Sequence, residues 1–151
     1  MTTTALAPTA APTSSNRNAL LALFGAVDAA VLTAVGTFTD LTGNEPGADH
    51  QASDWFVCLG VIAVATAVVF GLVVRTAAAG NPGRRGVVLG VLSVLTVVVA
   101  WSGLPMVLAA GALACAFLRK ERHGAFGPAG IAILVDVVLA TVGAIAFAIA
   151  G

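Results

Sequence analysis

The sequence predicts an all-α, polytopic transmembrane helix bundle, and three observations carry that prediction. Gly86 to Leu118 is a run of 33 residues without a charge, set between Arg85 and the cluster Arg119-Lys120-Glu121-Arg122. Three further apolar runs, at 19–38, 55–75 and 129–150, accompany it. Hydrophobic residues make up 59% of the 151-residue chain and charged residues 9%, against about 25% charged in ordinary soluble domains. A chain of this size has no room for a separate soluble module beside its spans. Formal net charge is zero, so there is no basic field to gather nucleic acid.

Residues 1–18 are rich in Thr, Ala and Pro and carry one charge, Arg17. They lack an apolar face to bury and are expected to form a disordered cytoplasmic tail. The first span, 19–38, is longer than the roughly 7–15 apolar residues of a signal peptide, and its basic residue comes late. It is therefore read as an uncleaved span, and 19–151 as the transmembrane helical domain. The second span, 55–75, has 20 uncharged residues from Trp55 to Val74, about one hydrocarbon thickness as a helix. The last, 129–150, follows Pro128, a residue tolerated at a helix start. Glycine and proline punctuate the connecting loops 39–54 and 76–85.

Region 86–118 is too long for one span: as a single helix it would reach about 50 Å across a core of about 30 Å. Its midpoint reads Trp101-Ser102-Gly103-Leu104-Pro105. Tryptophan favours the membrane interface. Gly103 permits a tight turn, and Pro105 lacks an N–H and restrains its predecessor. These residues mark the tip of a hairpin between spans 86–101 and 105–118, giving five spans in all, with four as the alternative.

Charge favours five. With a cytoplasmic N-terminus, Arg17, Arg75, Arg84, Arg85, Arg119, Lys120 and Arg122 all fall inside, and the acidic 39–54 loop falls outside with the C-terminus. Four spans would strand the 119–122 cluster outside, against the positive-inside tendency. Five spans leave the fourth helix short, about 14 residues, which calls for local thinning or burial among neighbours.

The Gly/Ala-rich hairpin, the basic loop and Gly127-Pro128-Ala129-Gly130-Ile131-Ala132 together resemble small multi-pass membrane proteins of high-GC Gram-positive bacteria, over about residues 86–150. The resemblance implies an integral protein of the cytoplasmic membrane and transfers no functional residue.

Asp28 and Asp136 are the sharpest chemical features. A carboxylate near mid-membrane costs about 2.5–3.5 kcal/mol on insertion scales, and the chain has no intramembrane Lys or Arg to pair with either. With five spans, Asp28 lies about 14 Å and Asp136 about 10 Å from the cytoplasmic ends of parallel helices, at depths where the two carboxyls can meet. One reading is a proton or cation relay. The other, favoured on residue type, is polar glue bonding Ser93, Thr96, Thr66, Thr141 or the backbone.

Small residues recur four apart at Ala63/Ala67/Gly71, Ala140/Ala144/Ala148, Gly86/Gly90 and Gly25/Ala29/Thr33. They serve either oligomer seams or internal packing. Asp40, Glu45, Asp49, His50 and Asp54 fit neither an EF-hand nor a zinc spacing and read as a solvated loop. His123 belongs with the basic cluster near lipid headgroups. Cys58 and Cys115 fall near opposite ends of their spans and cannot bridge. The sequence has no Cys/His cluster, P-loop or nucleophile elbow, so no catalytic, cofactor or metal residue is assigned. The expected role is a non-enzymatic accessory or scaffold component packing through small-residue faces, with itself or a larger complex. The runner-up is a small transporter or ion- or proton-conducting subunit using Asp28 and Asp136. A sensor with an acidic external loop ranks third.

Overall fold

A computed structural model describes residues 14–38, 52–77 and 79–150. The described residues form five helices and no strand. Helix α1 is Ser14–Phe38. Helix α2 is Ala52–Val68, continued by a π-helical turn, Val69–Val74, and by Arg75–Ala77. Helix α3 is Pro82–Leu95, prolonged by a 3-10 segment, Thr96–Ser102. Helix α4 is Leu104–His123 and α5 is Gly127–Ala150. The 39–51 stretch, with Asp40, Glu45, Asp49 and His50, lies outside the described residues, as do residues 1–13 and the side chains of Asp54 and Trp101.

The long uncharged run is a helical hairpin. Its chain kinks at Val99 (φ −114°, ψ 36°) and turns at Gly103, which holds φ 70° immediately before α4. Gly103 is required twice over. The left-handed backbone disfavours any side chain, and a Cβ there would stand 2.8 Å from Ile62 Cδ1 and 2.9 Å from Ala29 Cβ. Pro105 sits in the first turn of α4, where its missing N–H is harmless, and its carbonyl accepts from Ser93 Oγ at 2.9 Å. The pairing along the hairpin is antiparallel: Ser93 faces Pro105, Gly86 faces Cys115, and Gly83 faces Arg119.

Two boundaries differ from expectation. Helix α4 runs through the basic cluster to His123, so it has 20 residues instead of about 14 and spans about 30 Å. Helical hydrogen bonding does not stop where hydrocarbon does; Gly124, at φ 72°, ends it by donating its N–H to the Lys120 carbonyl at 2.8 Å. Helix α1 begins at Ser14, within the segment expected to be tail. Arg17 anchors that first part by pairing with Glu121 and stacking on Phe117, 5.1 Å from the ring centre.

Contacts set the helix directions. Gly25 and Ala29 of α1 face Ala110 and Gly103, so α1 is antiparallel to α4. Ile62 and Val69 of α2 face Gly103 and Gly111, so α2 is parallel to α4. Gly86, Gly90 and Val97 of α3 face Ile133, Asp136 and Gly143, so α5 is parallel to α3. Helices α1, α3 and α5 therefore run one way, and α2 and α4 the other.

Helix α4 occupies the centre and touches all four others. Its residues Ala112, Ala114, Cys115 and Ala116 are wholly buried. Small side chains on every side allow this: Val69 and Leu89 project at Gly111, while Cys115 accepts the backbone of Gly86. Close approach of backbones is how helices associate where lipid removes the hydrophobic drive. The exterior is the reverse of a soluble protein's, with Phe24, Phe56, Leu72, Val98 and Val142 each at least 60% exposed. Four helices are long and apolar enough to cross a membrane: Asn16–Val35, Trp55–Ala77, Pro82–Val99 and Gly127–Ala146. Helix α4 is set apart from them by the charges of its last turns.

Candidate functional site: a lateral cleft at Asp28

The two aspartates occupy different environments. Asp28 is exposed and lines a cleft of about 440 Å³ in the side of the bundle. Helix α1 contributes Leu21, Phe24 and Val31 beside it, α4 contributes Met106, Ala110 and Leu113, and α5 contributes Val137 and Thr141. The cleft follows from local side-chain size. Gly25 brings α1 so close to α4 that a Cβ would stand 2.5 Å from Ala110 Cβ. Ala109 and Ala110 then leave a shallow wall one turn further along, and α1 makes few contacts with α5 to close it. Thr141 spends its hydroxyl on the Val137 carbonyl at 2.8 Å, so Asp28 is the polar group of the cleft with its capacity uncommitted.

Asp136 is half-buried and faces α3. A Cβ on Gly90 would lie 2.9 Å from Asp136 Cβ and 2.7 Å from its Oδ2, so this side chain fits only because Gly90 is bare. It is not among the residues lining the Asp28 cleft. Among the described residues, neither carboxylate has a hydrogen-bond or ion-pair partner. The structure therefore does not join the aspartates into one site.

Among the described residues, none of the expected polar partners bonds an aspartate. Ser93 bonds Pro105, Thr96 bonds the Leu92 carbonyl at 2.9 Å, and Thr141 bonds Val137. Thr66 Oγ1 is buried without a partner among the described residues. The aspartates are thus not tied down by the hydroxyls that the glue reading proposed.

The seven basic residues gather at one end of the bundle, because that end holds the start of α1, α3 and α5 and the finish of α2 and α4. Arg122 Nη1 donates to the Gly80 carbonyl at 2.8 Å. Arg85 donates to the Val73 carbonyl at 3.4 Å and to the Thr76 hydroxyl. The Arg84 N–H donates to Asn81 Oδ1 at 3.2 Å, capping α3. Lys120 lies over the Phe126 ring at 4.9 Å, and Phe126 packs on Phe117 at 5.8 Å. Arg119 packs against Gly83 and Gly127, while Arg75 and His123 are exposed. Hydrogen bonding from Arg17 holds the Glu121 carboxyl below the usual carboxylate range.

The small-residue tracks also separate. Gly25, Ala29 and Thr33 are buried, Gly25 against Ala110 of α4 and Ala29 against the Gly103 turn. Gly86 and Gly90 are filled by Ile133 and Asp136, and Ala140 and Ala144 are buried. Ala63, Ala67 and Gly71 are instead exposed on α2, together with Gly60; a Cβ at Gly60 or Gly71 would meet nothing within 4 Å. Ala148 lies outside the described side chains.

Sequence reasoning missed the cleft, the seat of Asp136 on Gly90 and the Arg17–Glu121 tie. Only the Gly86/Gly90 spacing signalled any of these, as a close-approach motif without its partner. Among the described residues no cluster of metal-ligating side chains occurs. Comparison of the chain with protein-family models, curated proteins and solved structures finds no match.

Proposed function

We propose that the chain is a five-span protein of the cytoplasmic membrane, a non-enzymatic accessory or scaffold component that associates with itself or a larger complex through the outer face of α2. The observation that carries this reading is the exposed track of Gly60, Ala63, Ala67 and Gly71. Comparable tracks on the other helices are consumed inside the bundle. Small residues lower the separation at which a second helix can pack, and here the space beside them is open. The alternation of five helices, with all seven basic residues at one end, supports five crossings with that end cytoplasmic. The fourth crossing is then α4, sheltered from lipid by its neighbours, so its modest apolar length is no obstacle.

Energy transfer between donor- and acceptor-labelled copies in liposomes tests self-association. Ala67→Leu is expected to lower transfer several-fold with the thermal unfolding midpoint unchanged, whereas Ala144→Leu should destabilise the fold itself. If self-association is absent, the same Ala67→Leu variant should lose a partner that co-purifies with the wild type from its native membrane. Unchanged association in Ala67→Leu would remove α2 as the interface. For topology, a periplasmic-type reporter fused at the C-terminus is expected to be active and a cytoplasmic one silent; the reverse would mean an even number of crossings.

A conducting role through paired aspartates has less support, because Asp136 faces Gly90 and lies outside the cleft that Asp28 lines.

A further inference from the structure

We infer that the Asp28 cleft is a binding site for a lipophilic organic cation entering from the bilayer, with its positive head at the Asp28 carboxylate and its apolar body along Phe24, Val31 and Leu113. This goes beyond the accessory role and does not depend on the α2 face. The volume, about 440 Å³, falls within the roughly 300–1,000 Å³ of small-molecule sites, which are apolar with few polar groups. Those walls are apolar apart from Asp28 and Thr141, and Thr141 is engaged with Val137.

Charge selects the occupant. An uncompensated carboxylate facing lipid is costly. All seven basic residues lie at one end of the bundle, so neither this chain nor a second copy brings a cation to Asp28. Apart from a proton, a compensating charge must arrive on something else. A metal ion is poorly served by one carboxylate, since calcium takes about 6–8 oxygens and magnesium a near-octahedral set. A monovalent organic cation needs only one counter-charge, and an aromatic face adds attraction; Phe24 stands at the cleft, 70% exposed. Access is sideways: Val27 and Val31, which also line the cleft, are 51% and 54% exposed, so an occupant partitions into lipid first.

The test is equilibrium dialysis of labelled tetraphenylphosphonium against the full chain in nanodiscs, with empty nanodiscs subtracted. Wild type is expected to bind saturably, at one site per chain. Asp28→Asn should lower affinity at least tenfold, Asp136→Asn should leave it unchanged, and the same-shaped anion tetraphenylborate should not compete. Leu113→Trp, which fills the cleft with Asp28 retained, should weaken binding as well. Absence of saturable binding in wild type, equal binding by Asp28→Asn, or competition by the anion would each overturn the inference. The first of these is the outcome expected if the cleft holds only a lipid chain or receives a partner's helix.

Discussion

Asp28 and Asp136 look alike in the sequence: each is a single carboxylate inside an apolar run, without a cation at its depth. In the bundle they differ by what stands opposite. Asp136 meets the bare backbone of Gly90 and is half-buried between α5 and α3. Asp28 faces the shallow wall of Ala109 and Ala110 and stays exposed at a cleft. Identical chemistry thus becomes a packing element in one place and an accessible charge in the other. What decides between them is the size of the residue on the neighbouring helix.

The largest effect that can break this comparison comes from removing each charge. In isolated α1 and α5 segments, Asp28→Leu and Asp136→Leu should raise membrane insertion alike, by up to about 2.5–3.5 kcal/mol. In the intact chain the two should diverge. Asp28→Leu is expected to raise the unfolding temperature, since its cleft has room, while Asp136→Leu lowers it by pressing a bulkier side chain on α3. Parallel shifts in the intact protein would mean that the two sites are equivalent.

A smaller effect sharpens the Asp136 side alone. Gly90→Ala places a methyl group within 2.9 Å of Asp136 Cβ, and overpacking of this kind costs about 1–3 kcal/mol. Gly60→Ala is its control, with nothing within 4 Å. Unfolding in a mild detergent should show a loss for the first and none for the second. Pairing Gly90→Ala with Asp136→Gly, which removes the Cβ that the new methyl meets, should recover much of that loss, as expected of contacting residues.

Features encoded locally were legible in the sequence. Gly103 and Pro105 announce the hairpin because a left-handed backbone and a missing N–H are properties of single residues. The common end of the basic residues follows from counting reversals of the chain. The rank of the helices was not legible. Gly25/Ala29/Thr33 and Ala63/Ala67/Gly71 share one spacing, yet the first is buried within the bundle and the second is exposed. Rotation of each helix about its axis decides this, and rotation is set by neighbours far away in the chain. The cleft is illegible for the same reason: it is a gap among α1, α4 and α5, visible only once Gly25 has docked on Ala110. Apolarity alone ends α4 at Leu118, whereas backbone bonding carries it to His123.

The contrast between the carboxylates is tested most directly by labelling the full chain in its bilayer at acid pH with dicyclohexylcarbodiimide, which couples to protonated carboxylic acids reached from lipid. Adducts would then be located by mass spectrometry. Modification of Asp28 well ahead of Asp136 is the expected result. Equal modification, or modification of Asp136 first, would contradict the assignment of Asp28 to an open lateral cleft and of Asp136 to a packed seat on Gly90.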